Sequence, residues 1–230
     1  MAHPTLFFPG TLCDERVWLP VWQQLNLSQR RYVPLQWAGS FEDMISLTND
    51  RVLPDEKVHL VGFSMGGYVA TQWALNHSNN VASLTLIGYA PQGLTQREEK
   101  KRKVLLQTLS KANFKPHSDS FIAPYVLDGN IVDEQIGKVV AQMAEDLGAT
   151  TLKAHIASTT PRKNLLNSLV KVRFPIHFIG SSSDAIAPLS SVKEAHSQMN
   201  NARLTVIENA AHMMTLENPS AVTAALSALK

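Results

Sequence analysis

Short apolar runs alternate with segments of helical periodicity along most of this chain. Six runs are typical of buried strands: TLFFPG, RRYVPLQW, KVHLVGF, VASLTLIGYA, FPIHFIG and ARLTVIE. Five segments have apolar residues at helical spacing: DERVWLPVWQQL, SFEDMISLTNDRVL, MGGYVATQWALNH, LSSVKEAHSQMN and PSAVTAALSALK. Strands that alternate with helices predict an α/β fold with a mostly parallel six-stranded sheet flanked by helices.

The alternation breaks once, between residues 94 and 165, where helices are predicted without strands. The clearest helix is VDEQIGKVVAQMAEDL, which has one apolar face: Val132, Ile136, Val139, Val140, Met143 and Leu147. Such a face needs a surface to cover, and open α/β sheets bind ligands at the carboxyl ends of their strands. We therefore predict one structural unit, with a core formed by residues 1–93 and 166–230 and a helical cap, or lid, at residues 94–165.

The composition narrows the class of partner. The chain has 21 basic and 19 acidic residues and a net charge of +2, so nothing attracts it as a whole to nucleic acid or to an anionic membrane. Its single cysteine, Cys13, excludes an internal disulfide and fits a reducing compartment. The first residues lack the pattern of a signal peptide, and no run of about 18 apolar residues occurs. We expect a cytoplasmic protein with a small-molecule partner, no nucleic acid and no membrane span.

The segment VHLVGFSMGGYVA has a serine between glycines where a predicted strand meets a predicted helix. A sharp turn there leaves no room for side chains two residues before and after Ser64, and Gly62 and Gly66 occupy both positions. The turn also places the Ser64 hydroxyl at a helix N-terminus, where negative charge is stabilised. Because G-x-S-x-G also occurs by chance, a serine N-cap on a glycine-rich turn is the alternative interpretation.

A nucleophilic serine needs a histidine base and a carboxylate that orients the histidine. Asp184, in SSSDAIAP, directly follows the predicted strand FPIHFIG. His212, in NAAHMMTLENP, directly follows the predicted strand ARLTVIE. A solvated turn aspartate and a surface or core histidine are the alternatives, but both would have to occur together at two successive strand ends.

Three motifs, taken together, resemble the α/β-hydrolase superfamily over essentially the whole chain. GFSMGG is similar to its nucleophile elbow, GSSSDAIAP to its acid loop and AAHMMTLENP to its histidine loop, in the order serine, acid, histidine. The resemblance implies the α/β-hydrolase fold and a serine hydrolase. In that enzyme Ser64 is the nucleophile, His212 is the general base and acid, and Asp184 orients His212.

The resemblance also implies an oxyanion hole formed by two backbone N–H groups, those of Met65 and of Thr11 in the loop FFPGTLCDERVW. Family members usually have His-Gly where this sequence has Pro9-Gly10, so the histidine that normally braces the loop is missing. Ala211 replaces the usual glycine before the catalytic histidine. We predict that Cys13, in the same loop, is a packing residue because the triad already supplies a nucleophile.

No cofactor is indicated by the sequence. The other histidines lack the H-E-x-x-H pattern and any paired spacing typical of metal ligands. No G-x-G-x-x-G opens a strand-helix unit, so a dinucleotide is not implied either. We expect neither a metal nor an organic cofactor.

The segment GFSMGGYVATQWALNH resembles the elbow and helix of small capped esterases, the carboxylesterases that cleave pimeloyl-carrier-protein methyl ester. The predicted function is cleavage of a carboxylic ester or thioester through an acyl-enzyme. In the predicted cap, a basic segment is either a solvated helix face or a docking patch for an acidic carrier protein. Its basic residues are Arg97, Lys100, Lys101, Arg102 and Lys103.

Two other functions stay open. One is that of the menaquinone-pathway lyase that uses a similar triad, although that family usually has arginine where this sequence has Tyr68. The other is a non-catalytic protein that binds a ligand on the same fold, because a fold does not fix a function.

Overall fold

A six-stranded parallel sheet forms the centre of the computed structural model, which describes residues 3–110, 112–131 and 135–227. The strands are β1 Thr5–Phe8, β2 Arg30–Tyr32, β3 Val58–Phe63, β4 Val81–Ile87, β5 Ile176–Ser181 and β6 Ala202–Ile207. They lie in the order β2-β1-β3-β4-β5-β6, and neighbouring strands pair in parallel. The predicted fold class is confirmed, with a sheet that is wholly parallel.

Helices connect the strands and cover both faces of the sheet. They are α1 Leu19–Trp22, α2 Phe41–Asn49, α3 Met65–Asn76, α4 Gln96–Thr108, α5 Asp119–Ile122, α6 Asp128–Ile131, α7 Ile136–Ser158, α8 Leu166–Leu169, α9 Leu189–Ser197, α10 Met214–Glu217 and α11 Pro219–Leu226. The last predicted helix extends to residues 228–230, which lie outside the described residues. Within the described ranges, no helix is both long enough and apolar enough to cross a membrane.

One predicted helix is wrong in its extent. DERVWLPVWQQL forms a short 3-10 turn, Glu15–Val17, followed by the single turn of α1. Pro20 lies in the first turn of α1 and has no N–H to bond to an earlier carbonyl, so one continuous helix cannot form across it.

The sheet separates two apolar cores. Leu6 and Phe8 of β1 point to the core that α2, α3 and α9 cover. Phe7, between them, points to the opposite core, which α1 and α11 cover. This alternation is what a parallel strand buried on both faces requires.

The segment between β4 and β5, residues 94–165, is called the inserted segment below, and its described regular elements are helical. Its longest helix, α7, is interrupted at Gly148, where φ is 74° and ψ is 172°. The predicted apolar face packs against buried residues at Ile136, Val139, Val140, Met143 and Leu147. Val132, the first predicted position of that face, lies outside the described residues.

Candidate active site

Ser64 lies in the turn between β3 and α3, with φ 52° and ψ −115°. This backbone conformation is rare for a residue with a side chain, so neighbouring packing must hold it. A Cβ at Gly62 would lie 2.6 Å from the Gly66 carbonyl oxygen, and a Cβ at Gly66 would overlap the Phe8 carbonyl. Both glycines are therefore required by the close approach of the backbone, as the sequence pattern predicted.

His212 connects Ser64 and Asp184. Its Nδ1 lies 2.9 Å from Asp184 Oδ2, and its Nε2 lies 3.0 Å from Ser64 Oγ. A carboxylate can only accept, so Nδ1 carries the proton and Nε2 is left to accept from the serine hydroxyl. Asp184 and His212 are buried, and Ser64 is partly exposed. The structure thus brings together the three side chains that the sequence places at three separate strand ends.

The Asp184 carboxylate is fixed by two further donors. Its Oδ1 accepts hydrogen bonds of 2.8 Å from the backbone N–H groups of Ile186 and Ala187. Oδ2 is left for His212, so one oxygen anchors the acid loop and the other orients the imidazole. Charge-assisted hydrogen bonds of this length are among the strongest in proteins.

Two aromatic rings contact the His212 imidazole. The Phe63 ring lies 5.1 Å away between centroids, and the Tyr125 ring lies 6.2 Å away. Tyr125 belongs to the inserted segment, and its carbonyl accepts a 2.8 Å hydrogen bond from Met213 N–H. The inserted segment therefore contacts the predicted catalytic histidine directly, which the sequence pattern did not reveal.

Glu217 is a structural residue of the site to which the sequence analysis gave no role. One carboxylate oxygen accepts from Ala211 N–H at 2.7 Å, next to His212. The other accepts from Leu127 N–H at 2.7 Å and from Asn130 Nδ2 at 2.8 Å. Glu217 thus ties the histidine loop to the inserted segment, and its only sequence signal is its place within TLENP.

The two predicted oxyanion donors lie on opposite sides of the elbow. Met65 is the first residue of α3, and Thr11 lies in the loop after β1. A Cβ on Gly10 would lie 3.3 Å from Ser64 Cβ, so this loop packs against the serine. In the part of the chain that the structure describes, neither the Met65 N–H nor the Thr11 N–H donates a hydrogen bond. Both groups are available to an incoming oxyanion.

Cys13 does not compete with Ser64. Its side chain is buried, and burial, with a smaller contribution from the negative charge of Asp14, raises the pKa of the thiol to about 12. The thiolate is the reactive form of cysteine. The thiol therefore stays protonated and packs in the core, as predicted.

A small cavity adjoins the oxyanion loop. It has a volume of about 20 Å³ and lies between Thr11 and Leu12 on one side and α7 on the other. Apart from Thr11 and Leu12, the residues that line the cavity are mostly apolar: Phe121, Tyr125, Val140, Met143, Ala144, Leu152 and Met213. An apolar cavity beside the predicted oxyanion loop suits the hydrocarbon part of a small ligand.

The predicted basic segment divides in two on α4. Arg97, Lys100, Lys101 and Lys103 are exposed. The Arg102 guanidinium instead donates 3.2 Å hydrogen bonds to the carbonyl and hydroxyl oxygens of Thr159, beyond the end of α7. Desolvation, followed by the nearby Arg162 charge, lowers the pKa of Arg102 to about 10. Arg102 therefore fastens two helices together and is not part of the exposed basic surface.

The comparisons with known proteins show the family of the chain. The sequence pattern of the family described as alpha/beta hydrolase fold matches residues 39–219, so the chain belongs to the α/β-hydrolase family, as the three motifs predicted. Among individual proteins, it is similar to a pimeloyl-[acyl-carrier protein] methyl ester esterase of Neisseria meningitidis serogroup C. The two are 26% identical over 176 residues, which cover 74% of this chain and 68% of the esterase.

Of two other similar proteins, one is covered over a smaller share of its own length and the other has a lower sequence identity. Monoacylglycerol lipase ABHD6 of Bos taurus is 26% identical over 175 residues, which cover 70% of this chain but 51% of the lipase. A solved thermophilic esterase from Thermogutta terrifontis superposes with a TM-score of 0.84, covering 98% of this chain and 88% of that one. Its sequence identity is 19%, so this likeness shows the fold.

Proposed function

We propose that this protein is a serine hydrolase that cleaves a carboxylic ester or thioester through an acyl-enzyme intermediate. The observation that carries the proposal is the His212 imidazole, whose two nitrogens lie 2.9 Å from Asp184 and 3.0 Å from Ser64. Membership of the α/β-hydrolase family supports it, and so do relatives that are named as an esterase and a lipase.

In the proposed first half-reaction, Ser64 Oγ attacks the carbonyl carbon while its proton moves to His212 Nε2. Asp184 stabilises the imidazolium, and the backbone N–H groups of Met65 and Thr11 donate to the oxyanion. His212 then gives the proton to the leaving alcohol or thiol, which departs. The acyl group remains as an ester on Ser64.

In the second half-reaction, water transfers a proton to His212 and attacks the acyl carbon. The tetrahedral intermediate collapses, the carboxylic acid leaves, and His212 returns the proton to Ser64 Oγ. The same donors stabilise both tetrahedral intermediates because both oxyanions form at the same carbonyl oxygen.

We further propose that the inserted segment acts as the cap of the active site. Tyr125 contacts His212, and Val140 and Met143 line the small cavity beside Thr11. A cavity of about 20 Å³ holds only about one water molecule, so an acyl group must displace side chains to enter. We therefore expect acetyl and butyryl esters to react faster than longer ones. A cytoplasmic location and an acidic carrier as partner stay predictions.

The test is a series of p-nitrophenyl esters from acetyl to dodecanoyl, assayed with the wild type and with Ser64→Ala. We expect Ser64→Ala to lower kcat by about a million-fold, as the loss of a triad serine does elsewhere. Ser83→Ala is the matched control, because Ser83 Oγ also lies within hydrogen-bond distance of a histidine, His59, at 2.7 Å. Activity that survives Ser64→Ala would overturn the proposal.

One observation favours a second candidate, the lyase. The guanidinium of Arg162 lies 5.5 Å from the centre of the Tyr68 ring. Arg162 thus places a cation beside Tyr68, the position at which the lyase family has an arginine. If the protein consumed the lyase substrate faster than p-nitrophenyl acetate, this candidate would replace the esterase. Failure of a fluorophosphonate to label Ser64 would instead favour a non-catalytic binding protein.

A further inference from the structure

The oxyanion loop is held in place from the inserted segment. Leu12 N–H donates a 3.1 Å hydrogen bond to Nδ1 of His155, a residue of α7 that is 143 positions away in sequence. The other ring nitrogen of His155, Nε2, lies 3.0 Å from the Leu35 carbonyl oxygen. His155 is fully buried, so both contacts are shielded from water.

The conformation of Leu12 explains why the loop needs such a contact. Its φ is 55°, in the left-handed region that a leucine rarely adopts. A strained residue of this kind persists only when its surroundings hold it. Of the residues before it, Pro9 has no N–H to donate and Gly10 has no side chain that could hold the loop.

Hydrogen bonds fix both peptide units around Thr11. The Thr11 carbonyl accepts from the Cys13 thiol at 3.5 Å, and the Leu12 N–H of the same peptide donates to His155. In the preceding peptide, the Gly10 carbonyl accepts from Cys13 N–H at 3.3 Å, so the Thr11 N–H points the opposite way. Because Thr11 joins these two peptide units, a movement of the second unit would also change the direction of the Thr11 N–H.

The proton of His155 has one possible position. The Leu35 carbonyl can only accept, so Nε2 carries the hydrogen and Nδ1 presents a lone pair to Leu12 N–H. Burial lowers the pKa of His155, against a smaller opposing effect of the Leu35 carbonyl, which keeps the ring in this neutral form.

We propose that His155 is a positioning residue for the oxyanion hole: it holds the Leu12 N–H and thereby fixes the direction of the Thr11 N–H. The inference rests on the proposed hydrolase function. It adds a long-range contact through which the inserted segment helps to stabilise the transition state. His155 itself touches no reacting atom.

Two conservative substitutions separate positioning from a structural role. The amide oxygen of His155→Asn takes the place of Nδ1 and keeps an acceptor for Leu12, while the bond to Leu35 is lost. The amide nitrogen of His155→Gln takes the place of Nε2 and keeps a donor for Leu35, while the acceptor for Leu12 is lost. Each variant leaves one buried backbone group unpaired, so the free energy of unfolding should fall by a similar amount in the two variants.

The readout is kcat and KM on p-nitrophenyl acetate, with melting temperatures measured alongside. We expect His155→Gln to lower kcat about 10- to 100-fold, part of the effect of losing one oxyanion donor, with KM changed less than about 3-fold. His155→Asn should keep kcat within about 3-fold of the wild type. His177→Gln, which alters a buried histidine at the opposite edge of the sheet, controls for loss of stability. Equal loss of kcat in both His155 variants, or none in either, would overturn the proposal.

A second measurement needs neither a variant nor activity. In the ¹⁵N-labelled wild type, the Leu12 amide should show a scalar coupling across the hydrogen bond to His155 Nδ1, and this amide should exchange slowly with solvent. An absent coupling would overturn the inference even if both variants failed to fold. If Ser64→Ala kept full activity while the coupling was present, the hydrolase proposal would fail and the brace would stand.

Discussion

Both edges of the sheet have a histidine paired with a hydroxyl group, but the proton lies differently in the two pairs. At the carboxyl edge, Nδ1 of His212 faces the Asp184 carboxylate, so Nε2 accepts from Ser64. At the amino edge, Nδ1 of His177 faces the Arg203 guanidinium, 3.0 Å away, which can only donate. Nε2 of His177 therefore carries the hydrogen and donates to Thr205 Oγ1 at 2.8 Å.

The group that faces Nδ1 thus decides whether the hydroxyl can become a nucleophile. A carboxylate makes the imidazole a base towards serine, whereas a guanidinium makes it a donor towards threonine. Burial, followed by the Arg203 charge, lowers the pKa of His177 to about 4. His177 and Thr205 lie within regular strands, whereas Ser64 lies in a strained turn at a helix N-terminus.

The two edges also differ in cavity volume, and here the amino edge has the larger cavity. The cavity at the amino edge, which His59, His177 and Arg203 help to line, has a volume of about 510 Å³. The cavity beside the oxyanion loop has about 20 Å³. Cavity volume alone therefore favours the amino edge as the site, whereas the hydrogen-bond directions favour the carboxyl edge.

Among the changes that compare the two edges, the largest effect should come from changing the group at Nδ1 on the carboxyl edge. Asp184→Asn should lower kcat about 10,000-fold, because an amide NH₂ facing Nδ1 favours the tautomer that cannot accept from Ser64. Arg203→Gln, the corresponding change at the amino edge, should leave kcat on p-nitrophenyl acetate unchanged. A comparable loss in both variants would show that the two edges are not functionally distinct.

The next effect is on stability in acid and comes from the amino edge. The folded pKa of His177 is about 4 and its ordinary value is 6.5, so the unfolded chain binds more protons between these pH values. The free energy of unfolding should therefore fall as the pH drops from 6.5 to 4, by up to about 3 kcal/mol from this residue.

Urea denaturation at a series of pH values measures this effect. His177→Gln should flatten the acid slope, and Arg203→Gln should flatten it partly because the repelling cation is removed. His59 and His155, whose pKa values burial also lowers, contribute slopes of the same sign that remain in both variants. An acid slope unchanged by His177→Gln would contradict the assigned pKa shift.

The smallest effect should come from reversing the charge of exposed lysines. If an acidic carrier protein docks on α4, Lys100→Glu with Lys101→Glu should lower kcat/KM on a carrier-bound ester roughly 3- to 10-fold at low salt and leave p-nitrophenyl acetate unaffected. Lys57→Glu, at an exposed lysine just before β3, is the matched control. Arg102 is unsuitable for this test because it fastens α4 to Thr159. Equal losses on both substrates would remove the docking hypothesis.

The triad could be predicted from the sequence because each member lies within a local motif at a strand end, and parallel strands bring those ends together. That rule is enough to predict the proximity of Ser64, Asp184 and His212. The contacts of His155 and Glu217 could not be predicted, since they join residues 143 and 90 positions apart through an inserted segment whose packing has no simple periodicity. For the same reason, the sequence could not predict that the Arg102 side chain turns towards Thr159 while the neighbouring basic residues are exposed.

The break at Gly148 has a consequence for how such an enzyme diversifies. Before the break, Val140, Met143 and Ala144 of α7 line the small cavity, and after it Leu152 lines the same cavity while His155 accepts from Leu12 N–H. The φ of 74° at Gly148 lets the two halves take separate directions. Under the proposed function, substitutions at Val140, Met143 or Ala144 should change which acyl groups are accepted and leave the contact of His155 with the loop in place. Such a chain could acquire a new substrate without changes to the residues that carry out the proposed reaction.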